Sequence, residues 1–281
     1  MFEFDWLFGP VLEISNKFLS DIIIDMLDMG FDLIVSFIKT PSDINAYIPV
    51  GTFIPYIQAI AGGLLVLRVV WEVFGQLSGN MPETEGRSIA GLAMQVLWSA
   101  ILIAFLPMLV TDYLFRINNY LMEFINSITN ESMSIDIVTS YIVNTTSMFV
   151  LILALIWGIG FLLLAIAGAI RYIELIIAIM LAPFAALSVV RGNGALITWS
   201  ADTTAIVFTQ ALHLFLLQVL FLVMTGPAGY LMKFLLSFAV MSVVLRGPQI
   251  LRKYIYSSGT GVKVMPVVGG VGRMAASVIR K

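Results

Sequence analysis

The chain has 281 residues, of which 60% are hydrophobic and 11% charged, with a net charge of −2 and no cysteine. Soluble domains carry about 25% charged residues, so an aqueous globular fold would leave too much apolar surface uncovered, and the composition is that of a polytopic membrane protein. The lack of cysteine excludes disulfides, thiolate metal sites and cysteine nucleophiles, and the acidic opening Met-Phe-Glu-Phe-Asp-Trp lacks the basic region of a secretory signal.

Charge is segregated along the chain. Residues 1–50 hold eight acids and two bases. Residues 11–39 read as an amphipathic helix, in which Asp21, Asp25, Asp28 and Asp32 fall on one face of a 3.6-residue repeat. Ile22, Ile23, Met26, Leu33 and Ile34 supply the apolar side. Four aspartates make a lipid-spanning role costly, at roughly 2.5–3.5 kcal/mol each near the bilayer centre. The acidic face is either solvated or a docking face for a partner or for further copies of the chain. Pro41, Pro49, Gly51 and Pro55 punctuate a linker.

The first span is expected at Phe53–Phe74. Its Ala61-Gly62-Gly63 run would let another backbone approach closely, and Arg68 and Glu72 can pair on one helix face. A polar loop follows to Arg87, then a second span over Ser88–Val110 with Pro107 near its end. Asp112–Asp136 is polar and net acidic, with room for an interfacial helix.

From Met148 to Val190 the only charges are Arg171 and Glu174. As one helix this stretch would be about 65 Å long, against a hydrocarbon core of about 30 Å. Two crossings are therefore expected, a third span over Tyr141–Ala169 and a fourth over Ile173–Val190, with a hairpin marked by Arg171 and Glu174. Ala178, Ala182 and Ala185 give the fourth span a small-residue packing face, and Pro183 would kink it and free a carbonyl. The turn Arg191-Gly192-Asn193-Gly194 leads to Trp199, an interface anchor, and a fifth span over Thr198–Met224. The last apolar segment, Leu231–Leu245, is short for a crossing and is expected to be re-entrant or interfacial, ended by Arg246-Gly247-Pro248.

Arg246, Arg252, Lys253, Lys263, Arg273, Arg280 and Lys281 make residues 246–281 a tail with no acid. Basic flanks stay cytoplasmic, and these side chains can hold anionic head groups at about 1 kcal/mol each. Counting Lys and Arg on alternate sides favours six spans over five by a single residue, which does not decide. The short last segment favours five, with the N-terminus outside and the C-terminus cytoplasmic. The expected organisation is an acidic extracytoplasmic region over 1–50, a transmembrane bundle over 51–245 and a basic cytoplasmic tail over 246–281, an all-α fold.

No catalytic pattern is visible: there is no H-E-x-x-H, no Walker loop and no G-x-S-x-G. His213 is the single histidine, which excludes a two-histidine metal site. Gly192-x-Gly194 and Gly269-Gly270-x-Gly272 are incomplete phosphate loops. The chain is expected to be no enzyme and to take no cofactor or metal. The fifth span carries a polar line, Thr198, Asp202, Thr209 and His213, within about 40° on a helical wheel; Gln210 and Gln218 lie off it. Such groups face protein or water rather than lipid. They either hydrogen-bond between helices or line a translocation path; a proton relay would need more carboxylates.

Arg171-Tyr172-Ile173-Glu174-Leu175, Leu181-Ala182-Pro183-Phe184-Ala185-Ala186-Leu187, Trp199 and Thr209-Gln210-Ala211 together resemble the TrbL-like polytopic membrane subunit of conjugative and type IV secretion systems. The resemblance covers about residues 140–225. It implies a multi-pass protein of the bacterial cell membrane with about five spans, an extracytoplasmic N-terminus and a cytoplasmic C-terminus. It also implies an assembled oligomer that helps move DNA or protein, with separate ATPases supplying energy and an extracytoplasmic partner. Arg171, Pro183 and Trp199 are the positions it marks as shaping the channel subunit. The chain departs from that pattern in its short loop between the second and third spans and in lacking a large soluble C-terminal domain. The competing reading is a small-solute secondary transporter or ion-conducting membrane protein. The Pro183 break, however, has no counterpart in a matching half, as transporter repeats would provide.

Overall fold

The computed structural model describes residues 5–39, 45, 47–78, 89–128, 139, 148–191 and 194–257, with no strand among them. The helices are α1 (Asp5–Lys39), α2 (Val50–Leu77), α3 (Ile89–Met108), α4 (Phe115–Ile128), α5 (Met148–Arg191), α6 (Ala195–Thr225) and α7 (Tyr230–Ser257). A π-helical turn, Leu109–Leu114, joins α3 to α4. The protein is thus all-α. Five helical stretches are long and apolar enough to cross a membrane: Val50–Gly75, Ala90–Ile128, Met148–Val190, Ala195–Thr225 and Leu231–Tyr256.

The number of crossing candidates agrees with the sequence reading, but their identity does not. There is no hairpin at Arg171 and Glu174, because α5 is one helix of 44 residues. Between Gly168 and Pro183 the sequence offers no Gly or Pro to turn on, and the residues there are helical throughout. Bilayer thickness limits how much of a helix lies in hydrocarbon, not how long the helix is. The last segment is also longer than expected. Arg246-Gly247-Pro248 does not end it, and α7 runs through Pro248 to Ser257.

The chain forms two compact units. The first contains α1, the end of α4 from Asn119, α5 up to Tyr172, α6 from Thr209 and α7 up to Gly247. Its core joins Ile23, Leu27 and Ile34 of α1 to Trp157 and Phe161 of α5, Leu220 and Met224 of α6, and Met241 of α7. Ile22 and Leu33, expected on the apolar packing side of α1, are instead exposed. Gly30, rather than Ile22 or Leu33, meets α5 closely, at Phe161.

Within this unit α1 and α5 run parallel and close. A Cβ at Gly158 would lie 3.9 Å from Leu27, one at Gly30 would lie 3.1 Å from the Cβ of Phe161, and one at Gly168 would lie 3.1 Å from the Cβ of Phe37. Gly30–Phe161 and Phe37–Gly168 are each separated by 131 residues, and Gly158 meets Met26, its nearest neighbour at 3.7 Å, and Leu27 at separations of 132 and 131, so the helices keep nearly one register over this contact. Small residues let the backbones approach, and each glycine accepts a bulky neighbour from the opposite helix.

The second unit contains α2, α3, the π turn, α5 from Ile173, α6 up to Phe208 and α7 from Pro248. Ala61 and Leu65 pack there on Leu92, Ile103, Leu106, Ala182, Ala186 and Val190, so that of the three alanines expected on the packing face of α5 this cluster takes Ala182, joined by Ala186. Gly62 and Gly63 do not mediate a close approach, since a Cβ at either would meet nothing within 4 Å. The rest of α2 is apolar and exposed almost all round, from Tyr56 through Leu67 and Trp71 to Phe74, as a helix bathed in lipid would be. Arg68 and Glu72 pair at 3.3 Å on that helix.

Candidate functional site

Three prolines lie inside helices α3, α5 and α7, namely Pro107, Pro183 and Pro248. Each lacks the N–H that would bond the carbonyl four residues earlier. In a membrane bulk water does not reach that carbonyl, so side-chain donors from neighbouring helices or an ordered water take its place. In α3 the freed carbonyl is Ile103, and the Gln58 amide from α2 donates to it at 3.2 Å and to Ala104 at 3.0 Å. In α7 the freed carbonyl is Val244, and Nε2 of His213 lies 3.1 Å from it. That geometry requires the tautomer with the proton on Nε2. In α5 the Trp199 indole N–H donates to Ala178 at 2.8 Å, one residue before the carbonyl that Pro183 frees.

His213 sits with Gln210 and Arg171 in the first unit, all nearly fully buried. They line a cavity of about 20 Å³ together with Phe37, Gly168 and Val244. That is room for about one water molecule. Gly247 leaves space for the imidazole, because a Cβ there would be 3.2 Å from Nε2. Thr209 is completely buried in the same unit. Gln218 donates to Asn126 of α4 at 3.1 Å.

The polar line on α6 is divided between the units, with Thr198 and Asp202 in the second and Thr209 and His213 in the first. Asp202 joins a charge cluster there. The Arg252 guanidinium lies 3.4 Å from Glu174 and 3.6 Å from Asp202, and Tyr256 lies close to Asp202. These side chains come from α5, α6 and α7, so one cation ties three helices together. Sequence reasoning placed Arg252 in a lipid-binding tail and missed this role. The signal was there in principle: Arg252 and Tyr256 are four apart, on one face of a continuing helix.

Lining the second unit, Leu106, Leu109, Leu114, Leu196, Trp199 and Thr203 border a groove of about 370 Å³ beside the π turn. Asp21, Asp25, Asp28 and Asp32 are all exposed on α1. Of the basic tail, Arg246, Arg252 and Lys253 lie in α7, whereas Lys263, Arg273, Arg280 and Lys281 lie outside the described residues. Among the described residues, no group of three or more His, Asp or Glu side chains is placed to hold a metal ion.

Gln58, Trp199, His213 and Gln218 thus engage backbone carbonyls or side chains of other helices, an arrangement suited to holding a bundle together. A family model described as conjugal transfer protein TrbL matches residues 4–280. No curated protein and no solved structure matches the chain.

Proposed function

From the chain's membership of the TrbL family of conjugal transfer proteins, we propose that this multi-pass membrane protein is a channel or scaffold subunit through which a type IV secretion apparatus moves DNA or protein. The observation that carries the reading is the family match over residues 4–280, in a chain with five stretches long and apolar enough to cross a membrane. The subunit does no chemistry of its own; separate ATPases supply the energy, and the chain works as one of several copies. Its acidic N-terminal helix faces the extracytoplasmic side and its basic tail the cytoplasm, where Lys and Arg are retained.

The test is deletion in a conjugating host. Transfer is expected to fall to background and to return when the intact chain is supplied in trans. Unchanged transfer together with altered uptake of a small solute would refute the reading in favour of a transporter. The orientation is tested separately with Asp25→Cys and Lys263→Cys, which an impermeant thiol reagent should reach from outside and only after permeabilisation, respectively.

A further inference from the structure

His213 brings two demands into the first unit. Its Nε2 lies 3.1 Å from the Val244 carbonyl, and to donate there the ring must carry its proton on that nitrogen. The other nitrogen, Nδ1, is then a bare acceptor. Among the described residues no N–H or O–H donates to it. A buried acceptor without a donor is costly, and His213 is only 8% exposed.

The imidazole lines a cavity of about 20 Å³ with Arg171 of α5 and with Gln210, one turn earlier on α6. The rest of the wall is apolar and includes Ile34 and Phe37 of α1 and Leu164 of α5. All of these residues belong to the first unit.

What fits such a space must answer both signs of polarity. The guanidinium offers only donors, five of them, so it can serve the cavity in addition to its partners in the protein. Nδ1 offers only a lone pair, and the Gln210 amide offers both kinds of group. An anion would suit Arg171 but would set its own lone pairs against that of Nδ1. A cation would suit Nδ1 but would be repelled by Arg171. An apolar occupant would satisfy neither. The site calls for a molecule that both donates and accepts, in the space of about one water.

We propose that one ordered water occupies this cavity, accepting from Arg171 and donating to Nδ1 of His213, with Gln210 as its third partner. Buried waters make about three such bonds. Arg171, the water, His213 and the Val244 carbonyl then form one chain of hydrogen bonds across α5, α6 and α7 within the first unit. Arg171 is a positioning residue in this chain. It holds the water that answers Nδ1, and so favours the tautomer that caps the carbonyl freed by Pro248. The inference concerns the packed core and does not depend on what the chain transports.

His213 is the single histidine, so labelling histidine with nitrogen-15 gives one pair of ring signals from the intact chain in lipid bilayers. Solid-state NMR should show Nε2 protonated, Nδ1 bare, and a cross-peak from water protons to Nδ1. Arg171→Met should lose that cross-peak, and Arg171→Lys, which keeps a cationic donor, should retain it. Exchanging chloride for bromide in the buffer should move neither ring signal. A proton on Nδ1, or a bare Nδ1 with no contact to water, would overturn the proposal. Ring signals that follow the anion would overturn it by placing an ion in the cavity. An unchanged cross-peak in Arg171→Met would overturn the role given to Arg171. The spectra of the unaltered chain decide the water by themselves, even where Arg171→Met does not fold.

Discussion

Nε2 of His213 lies 3.1 Å from the carbonyl oxygen of Val244, the acceptor that Pro248 leaves without its helical donor. The lone histidine thus repairs a backbone defect created in another helix. A buried acceptor left unsatisfied costs about 1–3 kcal/mol. His213→Leu should lower the unfolding stability of the detergent-solubilised protein by that order. Pro248→Ala restores an N–H at the right place, and so should remove most of the cost of His213→Leu. Additive effects in the double-mutant cycle, to within about 0.5 kcal/mol, would show that the two residues are not coupled.

The same logic extends to α3, with a smaller effect because Gln58 is only half-buried. Its amide spans the carbonyls of Ile103 and Ala104, and the first of these is freed by Pro107. Gln58→Leu should cost about 1 kcal/mol, whereas Gln58→Leu in a Pro107→Ala background should cost clearly less. Equal losses in the two backgrounds, measured by thermal unfolding in one detergent, would contradict the assignment.

These pairings mark where sequence reading stops. The all-α membrane fold, the Arg68–Glu72 pair and the small-residue face at Ala182 follow from composition and helical spacing, which are local. That Pro183 frees a carbonyl is local too. Which side chain comes to a freed carbonyl is not, since Gln58 and Ile103 are 45 residues apart and His213 and Val244 31 apart. The hairpin expected at Arg171 failed for a different reason. Hydrophobic length was converted into a crossing count, but nothing in the sequence from 169 to 182 can make a turn. The Arg252 cluster was hidden because α7 was taken to end at Gly247 and Pro248, and a proline whose missing N–H is compensated by His213 does not end a helix.

The glycines divide into those that hold helices together and those that face open space. Gly168 would place a Cβ 3.1 Å from the Cβ of Phe37, an atom fixed to its backbone, so α1 and α5 must separate to admit it. Gly160 would meet the sulfur of Met241 at 2.7 Å, the flexible end of a side chain that can swing away. Gly62 would meet nothing. Gly168→Ala should destabilise the protein by about 1–3 kcal/mol, the range for overpacking, and Gly160→Ala by less. Gly62→Ala should be neutral, or stabilising by up to about 1 kcal/mol through helix propensity. Any other ranking of melting temperatures would count against the α1–α5 packing.

Arg252 sits between Glu174 and Asp202 with its side chain 38% exposed, as are those of both acids. At that exposure each pair contributes under about 1 kcal/mol, but deleting the shared cation also leaves two carboxylates facing one another across helices. Arg252→Gln should therefore destabilise more than either Glu174→Gln or Asp202→Asn. Its deficit should be largest at low salt and shrink as ionic strength rises, because screening weakens both the lost attraction and the new repulsion. In a Glu174→Gln, Asp202→Asn background, Arg252→Gln should be nearly neutral. A deficit that persists unchanged in that background, or that does not respond to salt, would mean that Arg252 acts through packing of its aliphatic stem rather than as the cation that joins α5, α6 and α7.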